Sequence, residues 1–217
     1  MAAEIKNIIF DLGGVLLNIE PGLTGKVLTE MGAPDMESLH ARLMERKLYQ
    51  RFDSGICSSD VFRQEIREVS GLPLTDVQID EAWNALLLDF PAPRVELLHQ
   101  LHPQYNLYLL SNTNPIHFES YTRTFREVHG EEMPDLFDRL FLSYELGAHK
   151  PDPEIYQKTI AQGNLLPQET LFIDDSLANV QAATRAGLIG FHLSPGLEVT
   201  ALFINRKLRM DAEFLLP

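Results

Sequence analysis

A single cysteine, Cys57, among 217 residues leaves no partner for an intramolecular disulfide, so a reducing, cytoplasmic setting is the expectation. Positive charge is scarce as well. Lys and Arg total 18 against 31 Asp and Glu, a net charge of -13, and no basic stripe is available to offset the phosphates of a nucleic acid or an anionic bilayer. Neither kind of partner is expected. No apolar run approaches the ~20 residues needed to cross a bilayer, and no basic start followed by a long apolar stretch marks an export signal. Internal repeats and low-complexity tracts are lacking too, and the oligomeric state is left open. What the sequence does have is enough chain to bury one α/β core with a sizeable insertion.

The chain is organised around Ile8-Ile9-Phe10-Asp11-Leu12-Gly13-Gly14. Three consecutive apolar residues read as a strand buried on both faces, as in the middle of a parallel sheet. Asp11 then falls at its C-terminal mouth, the edge where open α/β sheets bind ligands, and the two glycines let the backbone turn sharply. Asp11 alone would be weak evidence, since an aspartate also serves as a plain turn residue. Three later stretches place chemistry at similar positions. The run 106–110 delivers Ser111-Asn112-Thr113-Asn114, Lys150 precedes a Pro-x-Pro helix start, and 170–173 ends in Asp174-Asp175.

In this order the four stretches resemble the motifs of the haloacid dehalogenase superfamily, and the resemblance covers nearly the whole chain. Phe10-Asp11-Leu12-Gly13, Leu110-Ser111-Asn112-Thr113-Asn114, Leu142-Ser143-Tyr144-Glu145-Leu146-Gly147 running into Lys150-Pro151, and Phe172-Ile173-Asp174-Asp175 are similar to the small phosphatases grouped with the bacterial α-glucose-1-phosphate phosphatase. Arg51-Phe52-Asp53-Ser54-Gly55-Ile56 and Trp83 also look like that group. The resemblance implies a doubly wound parallel sheet of Rossmann-like α/β class. It also implies that an inserted helical bundle is a cap over the site.

Residues 1–17 and 91–217 are expected to form the core, and 18–90 the cap. Alternation of strand and helix after residue 91 agrees with such a sheet. Within the insertion, four helices are expected: one after Glu20; one capped by Asp35 and carrying Leu39, Leu43 and Leu48; one with Phe62, Ile66 and Val69 ending at Gly71; and one opened by the capping box Thr75 to Gln78. The plainer reading of this stretch is a space-filling subdomain. The crossings near 16–20 and 89–93 are hinge candidates. Trp83 reads as bundle core, Cys57 as a packing residue in a polar turn, and Arg51, Asp53 and Ser54 as possible specificity contacts. Leu202, Phe203, Ile204 and Phe214 make the last stretch apolar enough to dock on the core or a second subunit.

By resemblance, Asp11 is the nucleophile that forms an aspartyl-phosphate. Asp11, Asp175 and the backbone carbonyl of Gly13 are the expected Mg²⁺ ligands. Lys150 pairs with the substrate phosphate and the nucleophile, oriented by Asp174, while Ser111 and the Asn112 N–H bind phosphate oxygens. The activity implied is Mg²⁺-dependent hydrolysis of a small phosphorylated metabolite, with a sugar phosphate such as glucose 1-phosphate the leading candidate.

One position departs from the superfamily pattern. Gly13 stands where a second aspartate usually protonates the leaving group and later activates water, assistance worth ~10² to 10⁴ in rate. A substrate with an intrinsically good leaving group, such as an anomeric, acyl or aryl phosphate, would need that help least. Glu20, His117 and His149 lie close enough to the motif loops to compensate, each with an ordinary surface side chain as the plainer reading. Two alternatives stay open: a catalytically weak binding or regulatory protein, and a 2-haloacid dehalogenase, against which the acidic pair Asp174-Asp175 counts.

Overall fold

The computed structural model describes residues 4–33 and 36–209. Five parallel strands, β1 (Asn7–Phe10), β2 (Asn106–Ser111), β3 (Arg139–Leu142), β4 (Thr170–Asp174) and β5 (Ile189–His192), lie in the order β3-β2-β1-β4-β5. The order reverses between β1 and β4, where connections leave in opposite directions and the loops splay apart. Every residue of β1 is buried. Alternation sends Ile8 and Phe10 into one apolar layer with Leu109 and Ile173, and Ile9 into the opposite layer with Leu110 and Phe172.

Helices cover both faces, as an all-parallel sheet requires. One layer takes Val95, Leu98 and Leu101 of α6 (Ala92–Leu101) with Tyr121 and Phe125 of α7 (Pro115–His129). The other takes Ile155 and Tyr156 of α9 (Pro153–Gly163) with Ala182 and Ala183 of α10 (Leu177–Arg185). A single turn, α8 (Ser143–Leu146), follows β3 directly. After β5 a short two-stranded ribbon, Phe203–Ile204 with Lys207–Leu208, packs on the first layer through Phe203 and Leu208. Phe214 lies outside the described residues.

Between β1 and α6 the chain forms α1 (Gly22–Glu30), α2 (Met36–Glu45), α3 (Leu48–Asp53), α4 (Ser59–Ser70) and α5 (Asp76–Asn84). That is one segment more than the periodicity predicts. Lys47, at φ 50°, takes the left-handed conformation and splits the expected second helix in two. The capping box at Thr75 and Gln78 is formed, and Gly71 closes α4 at φ 72°. The expected cap at Asp35 lies outside the described residues. This bundle has its own core, in which Phe52 and Phe62 stack at 4.2 Å. Cys57 lies in the bend between α3 and α4 with its side chain buried in that core, so it packs as a small hydrophobe.

The two crossings into the bundle run side by side. Asn18 N–H donates to Asp89 O, Leu88 N–H to Asn18 O and Glu20 N–H to Leu86 O, an antiparallel pairing of the outgoing and returning chain. Buried Arg94 of α6 anchors it, donating to Asn18 Oδ1 and, through two nitrogens at 3.0 Å, to Glu198.

Candidate active site

Strand register assembles the carboxylates. Phe10 pairs with Leu109 on β2 and with Ile173 on β4, so the next residue of β1 emerges level with Leu110 and Asp174. Asp11 N–H closes the ladder on Ile173 O at 2.9 Å. The turn that follows is tied down by Leu16 and Leu17 N–H on Leu12 O and by Gly14 N–H on Leu17 O. Gly14 sits at φ 78°, and a Cβ there would run into the Asp175 carboxylate. A glycine is therefore what lets the acidic pair approach the β1 loop.

Lys150 reaches in from the loop between α8 and α9. Its Nζ donates to Asp11 Oδ1 at 2.6 Å, Asp174 Oδ2 at 2.7 Å and Leu110 O at 2.9 Å, so all three ammonium protons are used. The ammonium is almost wholly enclosed. Burial works against its charge, but Asp11 and Asp174 outweigh that and the Lys150 pKa is raised. Asp174 is held in turn by Ser176 N–H and by Asn179 Nδ2. Asn112 fixes the Lys150 backbone from the other side, accepting from its N–H at 2.8 Å and donating to its carbonyl at 2.9 Å. Ser143 Oγ both accepts from Thr113 N–H and donates to Thr113 O, which pins the loop carrying Ser111.

Asp11, Asp174 and Asp175 each offer an oxygen, and these lie within 4.8 Å of one another. One ammonium faces three carboxylates. Burial pushes the Asp11 carboxyl up to about 7, with Lys150 lowering it and Asp174 raising it; Asp175 is raised by burial and by Asp174. A hard divalent cation is the partner such an oxygen set suits. The turn's N–H groups fall on Leu12 O and Leu17 O, which leaves the Gly13 carbonyl out of that pairing.

A cavity of about 350 Å³ lies between this edge and the inserted bundle. Leu12, Gly13, Ser111 and Asn112 line its inner end, and Thr24, Leu28, Leu43, Tyr49, Asp53 and Trp83 its outer wall. Asn114 couples the two sides. Completely buried, its Oδ1 accepts from His117 N–H and Trp83 Nε1, and its Nδ2 donates to Asp53 Oδ1 and His117 Nδ1. Trp83 is therefore part of the bundle core and of the cavity wall at once. Its ring stacks with that of Tyr49 at 5.1 Å and with that of His117 at 4.8 Å.

Of the residues expected to compensate for Gly13, Glu20 is exposed and His149 half-buried. His117 is not a surface residue: it is buried, donates through Nε2 to Trp83 O, and has its pKa pushed down to about 4 by burial. A neutral ring with both nitrogens engaged is no proton donor. Arg51 is likewise placed away from the cavity, where Glu65 holds it at 2.9 Å, and buried Ser54 does not line the cavity; of that trio only Asp53 does, with its carboxyl raised to about 6 by burial. The roles of Asn114, Asn179 and Ser143 were not read from the sequence. Each depends on partners far along the chain, although Asn114 before Pro115 carries the signal of a helix cap.

The sequence pattern of the hydrolase family described as haloacid dehalogenase-like hydrolase matches residues 5–187. A D-ribitol-5-phosphate phosphatase from Bacteroides thetaiotaomicron is 30% identical over 194 residues, 89% of this chain and 94% of that protein. A sesquiterpene phosphatase from Aspergillus oryzae is 30% identical over 198 residues, 91% of this chain and 94% of that one. Among solved structures, a HAD family enzyme of B. thetaiotaomicron in complex with magnesium and inorganic phosphate superposes with a TM-score of 0.86 at 33% identity, covering 92% of this chain and all of that one.

Proposed function

This chain belongs to the haloacid dehalogenase-like hydrolases, and we propose that within them it is a Mg²⁺-dependent phosphatase of a small phosphorylated metabolite, working through an aspartyl-phosphate on Asp11. The observation that carries this reading is the buried Asp11–Lys150–Asp174 arrangement at the sheet's switch point, with Asp175 beside it. Relatives named as phosphatases, and a neighbour that holds magnesium and phosphate, support it.

In this reading an Asp11 oxygen attacks phosphorus, the ester P–O bond breaks, and the leaving oxygen takes the bonding pair. Water then cleaves the acyl phosphate, releasing inorganic phosphate and the free carboxylate. Lys150, locked by Asp174, Leu110 O and Asn112, offsets the charge of the nucleophile and of the transferring group without having to reorganise. Ser111 and the Asn112 N–H bind the phosphoryl oxygens. Asp11, Asp175 and the Gly13 carbonyl would hold Mg²⁺, which when bound supplies Lewis-acid neutralisation of phosphate charge. Residues 18–90 act as the cap, and the paired crossings near 16–20 and 89–93 as its hinge.

Without an acid at Gly13, the expected substrates are those with good leaving groups: a C1 sugar phosphate such as glucose 1-phosphate, an acyl phosphate or an aryl phosphate. The deciding experiment is steady-state phosphate release from such esters with Mg²⁺ or EDTA. Activity that needs Mg²⁺ and falls by at least about 10³-fold in Asp11→Asn is the expected result. Unchanged turnover in that variant overturns it.

A further inference from the structure

We infer that the substrate is an aryl phosphate, a monoester of a phenol-type hydroxyl on an apolar aromatic body. This names the substrate class of the phosphatase site above and rests on that reading. The first observation is the wall of the cavity. Leu17, Ile19, Leu28, Leu43, Leu86 and Leu87 contribute most of it, with Tyr49, Trp83 and Tyr121. The cavity's volume of about 350 Å³ is of the size that takes a small organic ligand.

The polar groups in the wall are largely spent on one another. Trp83 Nε1 and Asp53 Oδ1 are bonded to Asn114, His117 uses both ring nitrogens, and Thr24 Oγ1 donates to Trp83 O. Two polar groups are exceptions: the Tyr121 hydroxyl, buried next to Thr113 without normal hydrogen-bond geometry to any described residue, and the second carboxylate oxygen of Asp53, whose bond to Asn114 uses Oδ1. A sugar or polyol brings several hydroxyls, and each one that enters unpaired costs about 1–3 kcal/mol. An apolar body gains about 25 cal/mol per Å² removed from water.

The second observation concerns the leaving oxygen. A Cβ at Gly13 would stand 3.0 Å from Ile19 Cδ1. An apolar methyl thus crowds the space where a proton-donating side chain would begin. The leaving group must depart as an anion. Phenols, with pKa near 10 as for tyrosine, do so far more readily than alkanols, whose hydroxyls are closer to water. Wall and leaving group point to one class.

The test uses the full chain with saturating Mg²⁺ and five probes: 1-naphthyl phosphate, 1-naphthylmethyl phosphate, glucose 1-phosphate, ribitol 5-phosphate and acetyl phosphate. The expected kcat/KM for 1-naphthyl phosphate exceeds that for the sugar and polyol esters by about 100-fold or more. The naphthylmethyl ester carries the same body on an alkyl oxygen, so it should bind with a similar constant but turn over at least about 100-fold more slowly. Equal or better use of glucose 1-phosphate or ribitol 5-phosphate overturns the inference while leaving the phosphatase reading standing. So does equal turnover of the two naphthyl esters. Failure to release phosphate from any probe above the Asp11→Asn background, acetyl phosphate included, overturns the phosphatase reading itself.

Discussion

Lys150 is one ammonium serving two buried carboxylates, and truncating it leaves Asp11 and Asp174 facing each other out of water. Lys150→Met should therefore cost about 3–5 kcal/mol in urea unfolding, besides abolishing turnover. Gly14 makes the opposite kind of demand. At φ 78° with Asp175 where a Cβ would go, Gly14→Ala should weaken Mg²⁺ activation in a metal titration, because Asp175 must swing away. His117 gives a pH signature. Its folded pKa of about 4 lies below the ordinary value of 6.5, so the unfolded chain takes up the proton first as pH falls. Its contribution is intact above about pH 6.5 and is lost towards pH 4, an amount of about 3 kcal/mol. Asp53, raised to about 6, acts in the other direction, since its buried acid form favours the fold only at low pH. The two contributions are of similar size and opposite sign, so they nearly cancel in the parent between about pH 4 and 6. His117→Asn keeps only the Asp53 contribution and should lose about 3 kcal/mol of stability as pH rises through that range, relative to the parent, in urea denaturation at stepped pH.

At the level of helices and strands, the join between bundle and sheet rests on Asn114, the cap of α7. Asn114→Ala strips partners from Trp83 Nε1, Asp53 and the His117 backbone at once. A loss of about 3–5 kcal/mol is expected in thermal or urea melts, with a rise in KM as Asp53 and Trp83 lose their positions. None of this could be read in advance. The sequence shows Asn-Pro at a helix start, whereas the bonds to Trp83 and Asp53 span 31 and 61 residues. β1, β2 and β4 were legible for the converse reason. A strand buried on both faces is written as an unbroken apolar run, and Asp11, Ser111 and Asp174 punctuate three of them. Lys47 carries no such mark. An ordinary residue at φ 50° splits α2 from α3 without the glycine that usually announces a break.

For the whole molecule, the net charge of -13 opposes the approach of any phosphate ester, and Lys150 is deeply enclosed. Raising ionic strength from about 10 to 150 mM shortens the Debye length from roughly 30 to 8 Å. The expected response is a rise of about two- to fivefold in kcat/KM for a dianionic ester, opposite in sign to an enzyme that steers its substrate with positive charge. A fall over that range would show local attraction outweighing the global field. Composition made this charge visible at once, but not the apolar cavity, whose wall gathers residues from positions 12 to 121.

The pairing of Asn18 with Asp89 has a consequence for ancestry and engineering. Because the chain leaves and re-enters the sheet at hydrogen-bonded neighbours, everything from 19 to 88 is a cassette clipped into what would otherwise be a hairpin. Loop-closure entropy changes only slowly with insert length, so the crossing itself sets little limit on how long the cassette is, and what constrains its contents is the set of partners that Trp83 and Asp53 give Asn114 and His117. An exchanged cassette that supplies equivalents of those two side chains is expected to leave Asp11, Lys150 and Asp174 in register, because their contacts lie entirely outside 19–88.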